Sequence, residues 1–272
     1  MKSGLISKNT LIAILVLIII LLLVIFYLFD EKNIFAQQYL KAIYSNSIEL
    51  HKKYKLFINE NASSIYKNDI CVTNNFLNPE FHSYLKKQFD DKKFKSKDFI
   101  LRKATGIDYF DLHKTKDYNG LLELYYSTEL TNYLEKILKK PIQRTPAHDP
   151  NSCSLLIYNN KGDFIDWHKD ASGYYGDRYV ALITIINENA EKTGLSQNEF
   201  VYKNDGIDYP IKFQENSLVI FKGSEILHKS TAIDENERRI LLSMTFCDIC
   251  QEKKNIIQYG YEKIKNFVTY GK

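Results

Sequence analysis

Two kinds of periodicity divide the chain, and an unbroken apolar run precedes both. From Leu11 to Phe29 no residue is charged and almost none is polar. At about 1.5 Å of rise per residue, such a run roughly matches a hydrocarbon core of about 30 Å. Lys8 and Asp30 bracket it. A cleaved signal peptide has a shorter apolar stretch and a small-residue cleavage site. This run instead leaves through Phe26-Tyr27-Leu28-Phe29 into Asp30-Glu31. The expectation is a retained transmembrane helix over 10–29 after a short tail, 1–9. It contains no Gly-xxx-Gly and no internal charge, so nothing in it points to a channel or a helix-pairing face.

The next pattern is helical. Between Phe35 and Phe57, Ala36, Leu40, Ile43, Leu50 and Tyr54 mark one face, which predicts a helical stalk within 30–75. Asn78-Pro79-Glu80 opens a further helix, through Phe81, Tyr84, Leu85 and Phe89, with Pro in its first turn. Apolar residues at three- and four-residue steps predict another from Leu121 to Leu138, which Pro141 stops.

Beyond Pro150 the pattern changes to short β-branched and aromatic runs separated by Gly, Asn and Asp. They are Ser154–Tyr158, Tyr179–Ile186, Glu199–Lys203, Tyr209–Phe213, Ser217–Phe221 and Arg239–Phe246. Runs of this length read as strands of a sandwich, barrel or jelly roll. Pro210 belongs at an edge or a strand start. After Cys250 the chain looks helical again over Lys253–Val268. The whole is an α+β chain with a mainly β core: a domain over 76–250, its β-core at about 152–248, and a C-terminal helix within 251–272.

Composition adds limits. A chain of 272 residues suits one mid-sized domain plus attachments. The net charge of +4 is spread along it, and Lys-rich stretches such as Asp91-Lys92-Lys93-Phe94-Lys95 also carry acids and aromatics. That is a solvated surface, and no nucleic-acid partner is expected. Four cysteines are too few for a disulfide framework. Cys247-x-x-Cys250 lacks the second pair a structural zinc site needs; Cys247 ends an apolar run, which favours core packing or an incidental thiol, with a disulfide between the two as the alternative in a lumenal domain. One sequon, Asn61-Ala62-Ser63, carries no weight for topology. Lys2 and Lys8 before the span and Lys32 and Lys41 after it give no clear basic bias. Asp30 and Glu31 offset Lys32, which tilts the reading towards a cytoplasmic N-terminus. The expectation is then a single-pass membrane protein with a lumenal catalytic domain, of endoplasmic-reticulum or Golgi type.

The chemistry lies in Trp167-His168-Lys169-Asp170, Leu227-His228 and Arg238-Arg239. At period two, His168 and Asp170 point to one side of an extended segment. His228 follows another strand and closes a triad of two imidazoles and one carboxylate. Such a triad binds divalent iron on one face and leaves the opposite positions open. Alternation along the last strand puts Arg239, Leu241, Ser243 and Thr245 on one side. The more polar set suits a cavity, so Arg239 points inward and Arg238 to solvent or the rim. A guanidinium there suits a buried carboxylate, which it binds with two parallel hydrogen bonds.

On these residues the stretch from Ser152 to Asp248 resembles the iron(II)- and 2-oxoglutarate-dependent dioxygenases, within them the prolyl 4-hydroxylase-like group. The resemblance implies a double-stranded β-helix, a jelly-roll variant, flanked by helices. It implies His168, Asp170 and His228 as catalytic iron ligands, and Arg239 and Tyr158 as partners of the distal carboxylate of 2-oxoglutarate. Oxygen is then the second co-substrate and ascorbate a supporting reductant. Arg178 resembles a residue that lines the substrate entrance, against a reading as a surface arginine in a turn. Ser230 is in reach of the co-substrate or is a plain strand-edge hydroxyl. Trp167 stacks on substrate or shields the metal. The reaction implied is hydroxylation of a protein or peptide side chain, prolyl first. With Asp170 present, the vacancy that related halogenases use for chloride is missing. Three other readings stand beside it: oxidative demethylation of nucleic acid, an inactive membrane-tethered metal-binding protein, and a zinc hydrolase. A basic stripe would favour the first, and the absence of a carboxylate clamp would favour the other two.

Overall fold

The computed structural model describes residues 7–253 apart from 91, 100, 116 and 148, with the backbone alone at 23–38 and 99. The C-terminal helix expected over 253–268 lies, past its first residue, outside the described residues. Two compact units divide between Ala42 and Ile43. The first contains the start of helix α1 (Lys8–Tyr54), in which Leu11 to Leu22 are exposed. Among the described residues no helix is long and apolar enough to cross a membrane. Residues 23–29 of the expected span are among those whose side chains are not described.

The second unit begins at Ile43, earlier than the expected domain start at 76. Two features explain the shift. Tyr54, near the end of α1, packs against Phe81 and Tyr84 of α2 (Pro79–Lys87), and Phe57 stacks on Phe81 with centroids 4.5 Å apart. In addition, β1 (Ser64–Lys67) and β2 (Ile70–Thr73) form a hairpin within the expected stalk, and β2 joins the main sheet. Its residues Ile70 and Cys71 are buried there.

Asn78 starts α2 as expected. Its side chain accepts from the amides of Glu80 at 2.9 Å and Phe81 at 3.4 Å. The strand pair β3 (Lys97–Phe99) and β4 (Arg102–Ile107) follows, then the short helix α3 (Tyr109–Lys114). The helix expected over 121–138 is two: α4 (Leu121–Tyr126) and α5 (Thr128–Leu138). Ser127 separates them with extended backbone, and its Oγ accepts the Leu130 amide at 3.2 Å. Serine competes with helix continuation by capping the next one.

The remaining strands are β5 (Gln143–Arg144), β6 (Cys153–Tyr158), β7 (Phe164–His168), β8 (Arg178–Glu188), β9 (Phe200–Asn204), β10 (Ile207–Ile211), β11 (Leu218–Lys222), β12 (Leu227–Ser230) and β13 (Arg238–Cys247). They form one curled antiparallel sheet in the order β1-β2-β11-β8-β13-β6-β4-β7-β12-β9-β10. β4 is the corner: Thr105 to Ile107 pair with β6, while Arg102 and Lys103 pair with β7. The sheet therefore folds over on itself as a jelly-roll core with helices outside. β8 is buried along nearly its whole length, as a strand between neighbours and covered on both faces should be. β9 and β10 meet at Asp205-Gly206, both at positive φ, the conformation that a two-residue hairpin demands. Pro210 lies on the edge strand β10.

After β13, Cys247 and Cys250 form a disulfide. The tail then runs back along 173–177. The Tyr175 amide donates to the Gln251 carbonyl at 2.9 Å, Gly176 to Ile249 at 3.1 Å and Lys253 to Gly173 at 2.7 Å. The other two cysteines, Cys71 and Cys153, are buried thiols whose pKa burial pushes up, which makes them poor nucleophiles.

Candidate metal centre

His168 closes β7 and lies directly across from His228 of β12, with ring centroids 4.2 Å apart. Each imidazole is oriented by a backbone carbonyl two residues earlier. His168 Nδ1 donates to Asp166 at 2.7 Å, and His228 Nδ1 donates to Ile226 at 2.9 Å. A carbonyl can only accept, so Nδ1 carries the proton and Nε2 presents its lone pair. The register slips between His228 and Ser230, where Ile165 rather than Asp166 faces Ser230. Asp166 and Trp167 together face Lys229 in this bulge. The Asp166 amide donates to Leu101 at 2.8 Å, and its carbonyl turns to the His168 ring.

Asp170 is not on a strand, because β7 ends at His168. The Asp170 amide donates to the Gly223 carbonyl at 2.8 Å. Its Oδ1 lies 3.7 Å from His168 Nε2. One ligand atom from each of His168, Asp170 and His228 falls within 4.8 Å of the others. His228 is seated among aromatics, stacked on Phe200 at 5.3 Å and edge-on to Phe221 at 4.9 Å. The three predicted ligands are thus brought together by two paired strands and one connection.

Arg239 stands opposite Tyr158 in the β13–β6 ladder, and both are almost fully buried. Its guanidinium carbon lies 5.7 Å from the Tyr158 ring centroid and 5.1 Å from that of Phe213. Nη1 donates to Ser230 Oγ at 2.8 Å and to Asn198 Oδ1. Nε has no hydrogen-bond partner. Among the described residues no carboxylate forms an ion pair with Arg239. Burial lowers its pKa from the ordinary guanidinium value to about 10, against a smaller upward pull from Tyr158. Ser230 is two residues past His228 on β12, which separates guanidinium and metal site by roughly 7 Å along the strand.

Three further residues find their places. Arg238 is half-buried and donates to the Phe89 carbonyl just past α2, away from the cavity. Arg178 is buried at the head of β8 rather than exposed in a turn, with Nη1 3.8 Å from Asp170 Oδ2. Trp167 alternates to the other face from His168. Lys229 and Lys203 sit over its ring at 4.6 and 5.1 Å, so it neither shields the metal nor faces the site. Asn198 escaped the sequence reading. It sits near the end of the polar connection 189–199 between β8 and β9, and no local pattern marks it.

The donor set fits a divalent iron with open positions. The buried, acid-free guanidinium beside it fits an anionic partner.

No family model matches the chain, and no curated protein does. Solved structures do match. A non-heme alpha-ketoglutarate-dependent epimerase, SnoN, from nogalamycin biosynthesis is 12% identical with a TM-score of 0.50, over 66% of this chain and 78% of that one. A prolyl hydroxylase from Trichoplax adhaerens, in complex with a hypoxia-inducible-factor peptide fragment, is 15% identical with a TM-score of 0.47, over 67% and 84%. A Pseudomonas putida prolyl-4-hydroxylase is 13% identical with a TM-score of 0.45, over 70% and 95%. The chain has the fold of the 2-oxoglutarate–iron(II) oxygenase superfamily.

Proposed function

We propose that this protein is a membrane-anchored 2-oxoglutarate- and iron(II)-dependent dioxygenase that hydroxylates a protein side chain, prolyl first. The observation that carries the reading is Arg239: a buried cation with no acid paired to it among the described residues, one short strand step from two imidazoles and a carboxylate that can share a metal. A metal site alone has no use for it. A short dicarboxylate does, with one end at the metal and the other at the guanidinium.

His168, His228 and Asp170 hold the iron. Bound iron and 2-oxoglutarate supply the oxygen-activating chemistry, which consumes the co-substrate to succinate and carbon dioxide. The chain contributes position and exclusion. Arg239 holds the distal carboxylate, with Tyr158 at its side. Ser230 and Asn198 aim the guanidinium. Phe200, Phe213 and Phe221 keep water from its flank and from His228. The prolyl preference rests on the sequence resemblance.

The anchor is the apolar run 10–29, and the exposure of Leu11 to Leu22 on the helix supports it. A lumenal catalytic domain accords with the Cys247–Cys250 disulfide, a bond that oxidising compartments favour.

The test is succinate release by the full-length chain in detergent micelles with iron(II), 2-oxoglutarate, oxygen and ascorbate. The expected result is succinate that depends on iron and disappears in His168→Ala. Proline-containing peptides should then raise the rate and gain one oxygen. Wild-type protein that binds no 2-oxoglutarate in the presence of metal overturns the reading.

A further inference from the structure

Asp170 is the one triad member that no strand carries, so something else must seat it. Gly223, just past β11, accepts its amide at 2.8 Å. The φ of Gly223 lies outside the left-handed region, so its backbone conformation does not call for glycine. Space does. A Cβ there would collide with Asp170 Oδ2 and come within 2.8 Å of Val180 Cγ2 and 2.9 Å of Asp170 Cβ. From another element, Arg178 brings Nη1 to 3.8 Å from the same Oδ2, and that buried nitrogen makes no hydrogen bond. The other oxygen, Oδ1, is the one that lies towards His168 Nε2. The two carboxylate oxygens therefore have different surroundings.

We infer that Gly223 and Arg178 are positioning residues that make Asp170 a one-oxygen ligand, with Oδ1 to the metal and Oδ2 held back. The inference rests on the metal reading of the triad. Its chemical consequence is a count of open positions. A divalent ion that His168, His228 and one oxygen of Asp170 would hold keeps positions open for a co-substrate and oxygen. A carboxylate free to turn and bind through both oxygens would fill one of them. Gly223 fixes where the carboxylate sits, and Arg178 attracts the oxygen that must stay off the metal.

The experiment is Co(II) titration of the full-length protein in micelles, followed by absorbance, and then 2-oxoglutarate titration of the Co(II) form. Gly223→Ala is expected to lower Co(II) affinity at least tenfold, with the metal-free melting temperature little changed. Arg178→Met removes a cation beside the metal and frees Oδ2. It is expected to bind Co(II) as tightly as wild type or tighter, with an altered ligand-field spectrum, and to bind 2-oxoglutarate at least tenfold more weakly. A merely structural role for Arg178 would not split the two affinities in this way. If Gly223→Ala fails to fold, Gly223→Ala/Val180→Ala removes the Val180 collision and keeps the one with Asp170. Unchanged Co(II) affinity and spectrum in the folded Gly223 variant, or unchanged 2-oxoglutarate affinity in Arg178→Met, overturns the inference. Wild-type protein that binds no Co(II) overturns instead the metal reading beneath it.

Discussion

Arg239 of β13 stands in register with Tyr158 of β6, its guanidinium carbon 5.7 Å from the phenol ring centroid, and no carboxylate among the described residues pairs with it. A buried, unpaired charge costs stability in the empty protein and is compensated only when an anion arrives. Arg239→Met keeps much of the side-chain volume. Asn198 Oδ1 also keeps a donor, since Ser230 Oγ reaches it at 3.1 Å. The metal-free variant should be no less stable than wild type, and more stable by about 1 kcal/mol or more. Its affinity for 2-oxoglutarate should fall by about a hundredfold or more, from the loss of about 3 kcal/mol of charge-assisted hydrogen bonding. Thermal melts with and without co-substrate measure both; a destabilised variant with intact 2-oxoglutarate binding would contradict the assignment.

Burial pulls the Arg239 pKa down from its ordinary value to about 10. The sign follows from proton counting. Between those values the unfolded chain keeps a proton that the folded one has lost, so this group's contribution to stability rises with pH there. Below about 10 the folded state carries the buried charge at full cost. Anion binding runs the other way, because the empty site loses its cation as pH rises through about 10. Glutarate, which has the distal carboxylate but no chelating keto group, should bind the metal-free protein progressively more weakly above that pH. Arg239→Met should remove the trend. A glutarate affinity that Arg239→Met leaves unchanged at neutral pH would exclude Arg239 as the anion partner.

Asn198 offers a sharper substitution. Its Oδ1 accepts from both Arg239 Nη1 and Ser230 Oγ. Asn198→Asp would place a carboxylate where the guanidinium now meets an amide oxygen, and so supply the missing counter-ion from within. The change also removes the Nδ2 donor to the Thr231 carbonyl, which offsets the new ion pair in stability. The 2-oxoglutarate affinity should fall by about tenfold or more, because the incoming anion must compete with a tethered one. Co(II) affinity should stay near wild type, since Asn198 does not touch the triad. A variant that binds 2-oxoglutarate normally would show that Asn198 does not help to aim Arg239.

The parts of the site legible in the sequence are those that periodicity governs. Arg239 follows from alternation along an apolar strand, and His228 from its place after another. The six apolar runs beyond Pro150 emerge as strands, with bounds moved by a few residues: five have a buried face, and the edge strand β10 half-buries only Tyr209 and Ile211. What escaped lacks such a face or depends on distant contacts. The hairpin at 64–73 begins with a strand whose residues are mostly exposed, so no alternation betrays it. Asn198 sits among other polar residues, and only the approach of β12 and β13 distinguishes it. Gly223 has an ordinary backbone conformation, and its need for glycine comes from a carboxylate more than fifty positions away. Period two put His168 and Asp170 on one side. The strand nevertheless stops at His168, so the reason for their agreement lies in Gly223 rather than in β7.

The tail beyond β13 ties itself to the connection that carries Asp170 into β8. The amides of Tyr175, Gly176 and Lys253 are all bonded across this pairing. Lys140 adds ion pairs to Asp248 at 2.9 Å and Asp177 at 3.2 Å on the two sides. The Cys247–Cys250 disulfide closes the turn that sends the tail back, and Cys250 is only half-buried, within reach of a dithiol. Closing a loop this short constrains the open chain by about 2 kcal/mol in the entropic account. Reduction by a dithiol should therefore speed hydrogen exchange at these three amides by about thirtyfold. The interior of β13 should keep its protection, because the ladders with β6 and β8 hold it independently. Exchange measured by mass spectrometry on oxidised and reduced protein, with Cys250→Ser as a permanent reduced state, decides the point. Equal protection of 173–177 in all three forms would mean that the backbone pairing and Lys140 hold the tail without the disulfide.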